Sequence, residues 1–292
     1  MNADRVIAVD LGGTKILAGL IDRDGTVLET LERPTDRSSQ QALLDELVDA
    51  VRSLPQAGVG AVGFGIPSRV DQARGIVLGA VNIPLRDVPF RATMSERLGL
   101  PVGVENDGTC AAYAEYVHGA GRGTRNFITL TLGTGVGGGV VANGRLFRSW
   151  TELGHMVIVE NGEPCAGACT GHGHVEAYCS GTAADRVARR VLGPAANAHD
   201  LVAEGHPALA EIGRHLGVAI GSLVNIFGPE RVAVGGGFGV AAGPALFPAA
   251  RPAIIAEALE PAGVELELEL AQLGAEAGLI GAGLVAFDAL EE

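Results

Sequence analysis

The chain has 292 residues and a formal net charge of −13, from 21 basic and 34 acidic residues. Because the basic residues form no cluster, this balance argues against nucleic acid or an anionic membrane as the main partner. No apolar run approaches the roughly 20 residues of a membrane span, and no signal peptide precedes the first predicted strand, so we expect a cytoplasmic protein. Four cysteines, two of them close together among histidines, favour a metal site over a disulfide framework.

The first part of the chain predicts an antiparallel meander followed by alternating helices and buried strands. Short apolar runs predict strands, and apolar residues at helical spacing predict helices. Asp24-Gly25 is a tight hairpin signal between two of these strands. The predicted strands are 6–9, 16–21, 26–28, 59–66 and 102–104, and the predicted helices are 40–54, 90–98 and 111–117.

The pattern of strand, glycine-rich turn and strand then recurs. Residues 127–132 predict a strand, Gly133–Gly139 a turn and Val140-Val141 a second strand. This weak repeat indicates two related α/β domains. A loop-rich insert at about 150–181 follows, and after it come predicted helices at 182–192, 208–227 and 276–289 and predicted strands at 231–234 and 264–270.

Three glycine-rich turns, each at the end of an apolar strand, favour a nucleotide cradle. Glycine lets the backbone approach a phosphate closely, so that its N–H groups can bind the oxygens. In the first turn a lysine can neutralise phosphate charge and Asp10 can hold Mg²⁺. An ordinary hairpin is the alternative for each turn alone. The candidate nucleotide-binding residues are Asp10, Gly12, Gly13, Thr14, Lys15, Gly133, Thr134, Gly135, Gly235, Gly236 and Gly237.

Asp107 is the candidate catalytic base. It follows the predicted strand 102–104 and precedes a predicted helix, a position where sites in α/β proteins tend to lie. A fixed carboxylate there can take the proton of a substrate hydroxyl as the hydroxyl attacks a phosphoryl group. Asp107 is equally well placed to cap the helix, and the residues alone do not separate the two roles.

Several polar side chains around these motifs suit a polyhydroxylated ligand, whose hydroxyls need both donors and acceptors. Carboxylates lie close in sequence to a histidine in the insert, and two asparagines complete the set. The candidate substrate contacts are Asn82, Asn106, Asp107, Glu152, His155 and Glu176.

The insert also predicts a metal site. His155, Cys165, Cys169 and His174 fall within 20 residues, and thiolates together with imidazoles favour Zn²⁺ in a closed structural site. His172 is an alternative to His174 as the fourth ligand.

Together these motifs resemble the ROK family of sugar kinases and repressors, and within it the bacterial glucokinases. The matching pieces run in the family's order across nearly the whole chain: Asp10–Lys15, Gly63–Pro67, Glu105–Asp107, Leu132–Gly139, Glu152–His155, Glu176–Tyr178 with Ser180-Gly181, and Gly235–Gly237. The resemblance implies an actin-like, ribonuclease-H-like ATPase fold with two α/β domains flanking a cleft. We expect a small domain of residues 1–107 plus the closing helix at about 276–292, and a larger domain of residues 108–275.

The resemblance also implies an activity and roles for the residues. It implies ATP-dependent phosphorylation of a hexose at the 6-hydroxyl, with glucose as the leading substrate, and Asp107 as the base. The sugar contacts would be Asn82, Asn106, Glu152, His155 and Glu176, with His155 binding both zinc and sugar. It also suggests a homodimer or homotetramer.

Other readings stay open. The sugar can be mannose, fructose or N-acetylglucosamine, the donor can be polyphosphate, and a sugar-sensing regulator without catalysis is the non-enzyme alternative. The family's repressors carry a DNA-binding module before the first strand, whereas this chain has about five residues there, so we expect no DNA binding. The family's usual zinc motif has three cysteines; here the pair is Cys-x3-Cys and His174 stands where the third cysteine would be.

Overall fold

The computed structural model describes residues 4–80, 82–165 and 169–291, which fall into two compact units. Unit 1 runs to Ala114 and adds Arg148–Trp150 and the residues from Ala275 on. Unit 2 comprises Glu115–Phe147 and Thr151–Gly274. This division places residues 108–114 and 148–150 with unit 1, whereas the predicted boundary assigned them to the second domain.

Unit 1 contains eight of the strands in the described residues and helices on both sides of its main sheet. Its strands are β1 Arg5–Leu11, β2 Lys15–Asp22, β3 Val27–Pro34, β4 Val59–Ile66, β5 Arg69–Asp71, β6 Ile76–Gly79, β7 Arg86–Val88 and β8 Val102–Asn106. Its helices are α1 Gln40–Arg52, α2 Phe90–Leu98, α3 Asp107–His118, whose last turn passes into unit 2, and α10 Ala277–Asp288.

The main sheet of unit 1 has the order β3-β2-β1-β4-β8. The first three strands form the predicted antiparallel meander, and β1, β4 and β8 run parallel. One apolar core packs α1 and α2 on one face, and a second core packs α10 on the other. Because β1, β4 and β8 are parallel, their carboxyl ends lie along one edge of this sheet.

Helix α10 packs in close backbone contact with the sheet of unit 1 and with helix α3. A Cβ added to Gly63 in β4 would lie 1.8 Å from the carbonyl oxygen of Ala282, and one added to Gly281 would lie 1.8 Å from that of Cys110. Only glycine permits such backbone contact. The glycines of the apolar strand and of the closing helix therefore set how deeply α10 packs.

Unit 2 repeats the same sheet topology in the order β11-β10-β9-β12-β13. Its strands are β9 Phe127–Leu132, β10 Val136–Ala142, β11 Arg145–Leu146, β12 Arg231–Gly235 and β13 Glu267–Leu270. Its helices are α4 Val175–Cys179, α5 Gly181–Leu192, α6 Ala198–Ala203, α7 Leu209–Phe227, α8 Gly237–Glu257 and α9 Ala262–Glu265, with a 3₁₀ turn at Leu153–His155. The matching strand orders of the two units confirm the predicted repeat.

Several elements differ from the sequence predictions. Val136–Ala142 is a strand, although its glycines predicted a turn as far as Gly139, because these residues pair with β9 along their length. Val264 and Glu265 are helical, so the strand predicted from 264 begins at Glu267. The small β5-β6-β7 sheet, α6 and α8 were not predicted from the sequence.

Helix α8 has 21 residues and contains Pro244, Pro248 and Pro252. The prolines recur every four residues, so they lie on one side of the helix, and all three are exposed. The opposite side packs against α7 in the core of unit 2. By length and composition α8 is the one helix in the described part of the chain that meets the criteria for a membrane span, and buried core helices meet the same criteria.

Candidate active site and metal cluster

Two carboxylates lie at the same edge of the unit 1 sheet. Asp10 pairs in register with Gly65 of β4, and Gly65 pairs with Glu105 of β8, so that Asp10 and Asp107 lie at the carboxyl ends of nearby parallel strands. Their charges interact, because Asp107 is one of the causes that raise the pKa of Asp10. The predicted base and the predicted Mg²⁺ ligand are therefore brought together.

The structure separates the two roles that the sequence left open at Asp107. Helix α3 begins at Asp107, and its cap is Asn106, whose Oδ1 accepts the N–H of Thr109 at 3.1 Å. The Asp107 carboxylate accepts the N–H of Gly108 at 2.8 Å in the first helical turn. The capping role therefore belongs to Asn106, and Asp107 is a half-buried carboxylate at the start of the helix.

Asn106 is also fixed by its neighbours. Its Nδ2 donates to the carbonyl of Ser68 at 3.3 Å, and its backbone N–H donates to Oε1 of buried Glu105 at 2.8 Å. Burial raises the pKa of the Glu105 carboxyl, and its hydrogen bond to Asn106 opposes that rise. Glu105 thus acts beneath the site by holding the Asn106 backbone, a role for which its sequence position gave no signal.

Asp10 is held in a setting that disfavours its charge. Burial, followed by the charge of Asp107, raises its pKa from 3.8 to about 6, and Lys15 partly opposes the shift. At the start of α10, a Cβ on Gly278 would lie 2.6 Å from Asp10 Oδ2, so only glycine leaves room for the carboxylate there. The negative charge of these two neighbouring carboxylates is only partly offset by Lys15, and such a pair suits a divalent cation.

The raised pKa of Asp10 predicts a pH-dependent stability. Between pH 4 and 6 the folded chain holds a proton at Asp10 that the unfolded chain releases. The protonated Asp10 contributes its full stabilisation below about pH 4, and this contribution is lost as the pH rises through 6. Its size is on the order of 3 kcal/mol, since one pKa unit corresponds to about 1.4 kcal/mol. Urea unfolding of wild type and Asp10→Asn in magnesium-free buffer at pH 4 and 7 measures it. The free energy of unfolding of the variant minus that of wild type should rise by about this energy from pH 4 to 7. A constant difference would contradict the raised pKa of Asp10.

The first glycine-rich turn connects β1 to β2 and is hydrogen-bonded to Thr35, the residue that follows β3. The Gly12 N–H donates to the Lys15 carbonyl at 2.8 Å, and Thr35 Oγ1 donates to the Gly12 carbonyl at 2.8 Å. A Cβ on Gly13 would lie 3.2 Å from the Cβ of Asn82. The predicted sugar contact Asn82 therefore lies against the predicted phosphate turn, while the brace from Thr35 is a long-range contact that sequence spacing does not reveal.

Lys15, the predicted phosphate-binding cation, lies in an exposed setting. Its Nζ forms an ion pair with Glu32 Oε2 at 2.9 Å, and both side chains are more than half exposed. Exposed pairs of this kind contribute little stability. The Lys15 charge still lowers the pKa of Asp10, so its contribution at the site is electrostatic.

In unit 2 the other two glycine-rich turns lie side by side. Strands β9 and β12 are parallel neighbours, and a Cβ on Gly236 would lie 2.5 Å from the carbonyl oxygen of Leu132, directly before Gly133. Gly236 has φ of 78°, and with Gly235 and Gly237 it leads into α8, which begins with no side-chain cap in the described residues. The start of this long helix therefore presents backbone N–H groups beside the Gly133 turn.

Helix α5 holds the turn of Gly133, Thr134 and Gly135 in place. The N–H of Gly181 donates to the Gly133 carbonyl at 2.7 Å, and Thr182 Oγ1 donates to the Thr134 carbonyl at 2.7 Å. Through these two hydrogen bonds, a helix that begins nearly 50 residues later in the chain fixes the geometry of the turn.

The predicted metal ligands form a compact cluster. One donor atom from each of His155, Cys165, Cys169 and His174 lies within 4.8 Å of the others. The Nδ1 atoms of the two histidines are 3.2 Å apart, and the nitrogen–sulfur distances are 3.8 Å for His155 with Cys165 and 3.6 Å for His174 with Cys169. Donors around a tetrahedral zinc stand about 3.3 Å apart for two nitrogens and about 3.6 Å for nitrogen and sulfur.

Of the two histidine candidates for the fourth ligand, His174 belongs to the cluster. His172 is instead exposed and pairs through its backbone with Pro164. A Cβ on Gly171 would lie 2.3 Å from the His174 ring, so this glycine is required where the ring packs. Burial raises the pKa of the Cys165 thiol, which in the absence of a cation disfavours the thiolate. The donor set therefore fits Zn²⁺, which stabilises thiolates.

The predicted sugar contacts of unit 2 are one member of this cluster, His155, and two residues close to cluster members in the sequence, Glu152 and Glu176. Glu152 is exposed and precedes the 3₁₀ turn that carries His155. Because His155 directs Nδ1 toward the cluster, its Nε2 is the nitrogen that remains for a ligand. Glu176 lies one residue beyond Val175 in α4, with Oε1 3.6 Å from Cys165 Sγ.

The sequence of this chain is similar to those of known sugar kinases. The sequence model of the ROK family matches residues 6–289. The glucokinase of Streptomyces coelicolor is 35% identical over 94% of this chain and 95% of its own length.

Two solved structures are similar over their whole length. The ROK hexokinase from Thermus thermophilus has a TM-score of 0.85 at 33% identity and covers 98% of this chain and 99% of its own. The ROK family glucokinase from Streptomyces griseus, solved in complex with glucose and AMPPNP, has a TM-score of 0.82 at 32% identity and covers 97% and 99%. The chain therefore has the actin-like ATPase fold of these sugar kinases and belongs to the ROK family.

Proposed function

We propose that this protein transfers the γ-phosphoryl group of ATP to the 6-hydroxyl of glucose. The observation that carries the proposal is the placement of Asp107: a half-buried carboxylate at a strand end, relieved of the capping role by Asn106 and close enough to Asp10 to raise its pKa. The similarity to the Streptomyces glucokinases supports glucose and ATP as the substrates.

In the proposed reaction Asp107 accepts the proton of the sugar hydroxyl while that oxygen attacks the γ-phosphorus and the bond to the β-phosphate oxygen breaks. Asp10 would hold Mg²⁺, which supplies positive charge to the phosphate oxygens. The glycine-rich turns at Gly12–Lys15, Gly133–Gly135 and Gly235–Gly237 would offer backbone N–H groups to the nucleotide. Asn82, Asn106, Glu152, His155 and Glu176 would bind the sugar hydroxyls.

A panel of sugars and donors tests the substrate assignment. Glucose with ATP should give the highest kcat/KM in a coupled ADP assay, ahead of mannose, fructose and N-acetylglucosamine, and polyphosphate should not replace ATP. Higher kcat/KM with another sugar keeps the chemistry and changes the substrate, because epimers are separated by the pocket's hydrogen bonds. Glucose binding without ADP release would instead indicate a sensor.

We also propose that the four-ligand cluster holds a structural Zn²⁺ and that the enzyme works in the cytoplasm. Two thiolates and two imidazoles balance the zinc charge and close the coordination shell. Zinc would fix the His155 ring through Nδ1 and so orient Nε2 toward the sugar, which couples metal and sugar binding.

For the assembly we propose a homodimer formed through α8. The exposed residues of this helix from Val240 to Ala256 are all Ala, Pro, Val or Ile. This face is about 25 Å long, at 1.5 Å per residue, and beyond the exposed Glu257 lies Leu259, which is 74% exposed. Two copies that each carry a net charge of −13 repel across charged surfaces, so an uncharged apolar face is where a second copy can pack.

Replacing Ile255 with glutamate near the C-terminal end of this face is expected to give a monomer. A buried, unpaired carboxylate from each copy would oppose association. Light scattering after size-exclusion chromatography measures the mass, with Leu28→Glu on unit 1 as the control that keeps the dimer. A dimer in the Ile255 variant would contradict this interface.

A further inference from the structure

The carboxylate of Glu176 contacts the metal cluster and the Gly133–Gly135 turn at once. Its Oε2 accepts the backbone N–H of Val136, the residue directly after the turn, at 2.9 Å, and its Oε1 lies 3.6 Å from Cys165 Sγ. A Cβ on Gly135 would lie 2.4 Å from the same Oε2. Gly135, the second glycine of the turn, therefore leaves the space that the Glu176 carboxylate occupies.

Both backbone polar groups of Val136 contact residues that are next to, or two residues from, proposed metal ligands. Its N–H is bonded to Glu176, and a Cβ on Gly154 would lie 2.2 Å from its carbonyl oxygen. Gly154 precedes the ligand His155, and Glu176 follows the ligand His174 by two residues. Val136 is buried, so its N–H has little access to water if the carboxylate leaves.

These contacts make a short path from the metal to the turn. His155 and His174 fix the two segments that hold Val136, and Val136 fixes the end of Gly133–Gly135. We propose that Glu176 is a positioning residue for the nucleotide turn, so that an occupied metal cluster strengthens nucleotide binding in the absence of sugar. This inference rests on the proposed function, since it assumes that the turn binds ATP.

Calorimetric binding of AMPPNP without sugar tests it. Wild-type protein is stripped of zinc with a chelator, dialysed into excess Mg²⁺, and compared with the zinc-loaded protein, with metal content measured on each sample. The expected loss of AMPPNP affinity on stripping is about 10-fold, within the usual range for coupling between two sites. Equal affinities with and without zinc would overturn the inference.

Variants of Glu176 assign the coupling to its side chain. Glu176→Leu has similar volume but no acceptor for the Val136 N–H, so stripping zinc should change its AMPPNP affinity much less than the about 10-fold expected for wild type. Glu176→Gln keeps an acceptor oxygen and should respond to zinc as wild type does. Glu176→Ala repeats the test should the leucine variant be insoluble. A full zinc response in the variants that lack the acceptor would overturn the assignment.

Glu152→Ala is the matched control, because it removes a proposed sugar carboxylate from the same region without touching the turn. It should weaken glucose binding and keep the zinc effect on AMPPNP. If wild type binds no AMPPNP at all, the proposed function fails and the inference with it; if it binds AMPPNP regardless of zinc, only the inference fails.

Discussion

Replacing Asp107 with asparagine is expected to lower kcat for glucose phosphorylation by about 10²–10⁴-fold, the usual contribution of a positioned base. Asparagine cannot accept the hydroxyl proton, but its Oδ1 can still accept the Gly108 N–H, so the start of α3 is preserved. Helix capping is unaffected as well, because Asn106 supplies the cap. The loss should therefore fall on catalysis.

Glucose affinity separates this result from a folding defect. The Kd for glucose, measured by calorimetry, should change by no more than a few-fold, because the asparagine keeps the shape of the site. Asp24→Asn, an exposed carboxylate in the hairpin between β2 and β3, is the control that keeps wild-type turnover. Normal kcat in the Asp107 variant would exclude it as the base.

The second large effect is expected at the metal cluster. His174→Ala removes one of four donors that lie within 4.8 Å of one another, so zinc affinity should fall by more than the roughly 10–100-fold that outer partners of a metal site contribute. Metal analysis after dialysis should find about one zinc per chain in wild type, as a closed four-ligand site requires, and little in the variant.

His172→Ala is the matched control for this experiment. It removes a histidine two residues away that is exposed and lies outside the cluster, so it should keep the metal. The Tm of the His174 variant should fall and stop responding to added zinc, because bound metal stabilises the folded state by mass action. The reverse outcome, with metal lost only in the His172 variant, would assign the fourth ligand to His172.

Most strands of the fold could be predicted from the sequence because their apolar runs end at strong turn signals. The meander of β1, β2 and β3 and the strand β9 are of this kind. Helix α8 was missed because Pro244, Pro248 and Pro252 are helix breakers in an interior. They are tolerated at four-residue spacing on the exposed side, while the packing of Gly213 and Gly217 against the backbone of α8 stabilises the other side.

The residues of the candidate site could be predicted from the sequence, but the contacts between distant residues could not. Local spacing was sufficient to predict the cluster of two histidines and two cysteines, because all four lie in one insert and the structure brings them together. The ion pair of Lys15 with Glu32 and the contact of Glu176 with Val136 join residues 17 and 40 positions apart. Such pairs depend on strand register and helix placement, which composition and periodicity do not determine.

Phosphorus NMR of the product formed from glucose and ATP tests the central claim most directly. The proposed function predicts a single sugar ester, glucose 6-phosphate, formed in equal amount with ADP, and no ester from 6-deoxyglucose, which lacks the attacking hydroxyl. An ester at another hydroxyl, or ADP released without any sugar ester, would contradict the assignment of this protein as a glucose 6-kinase.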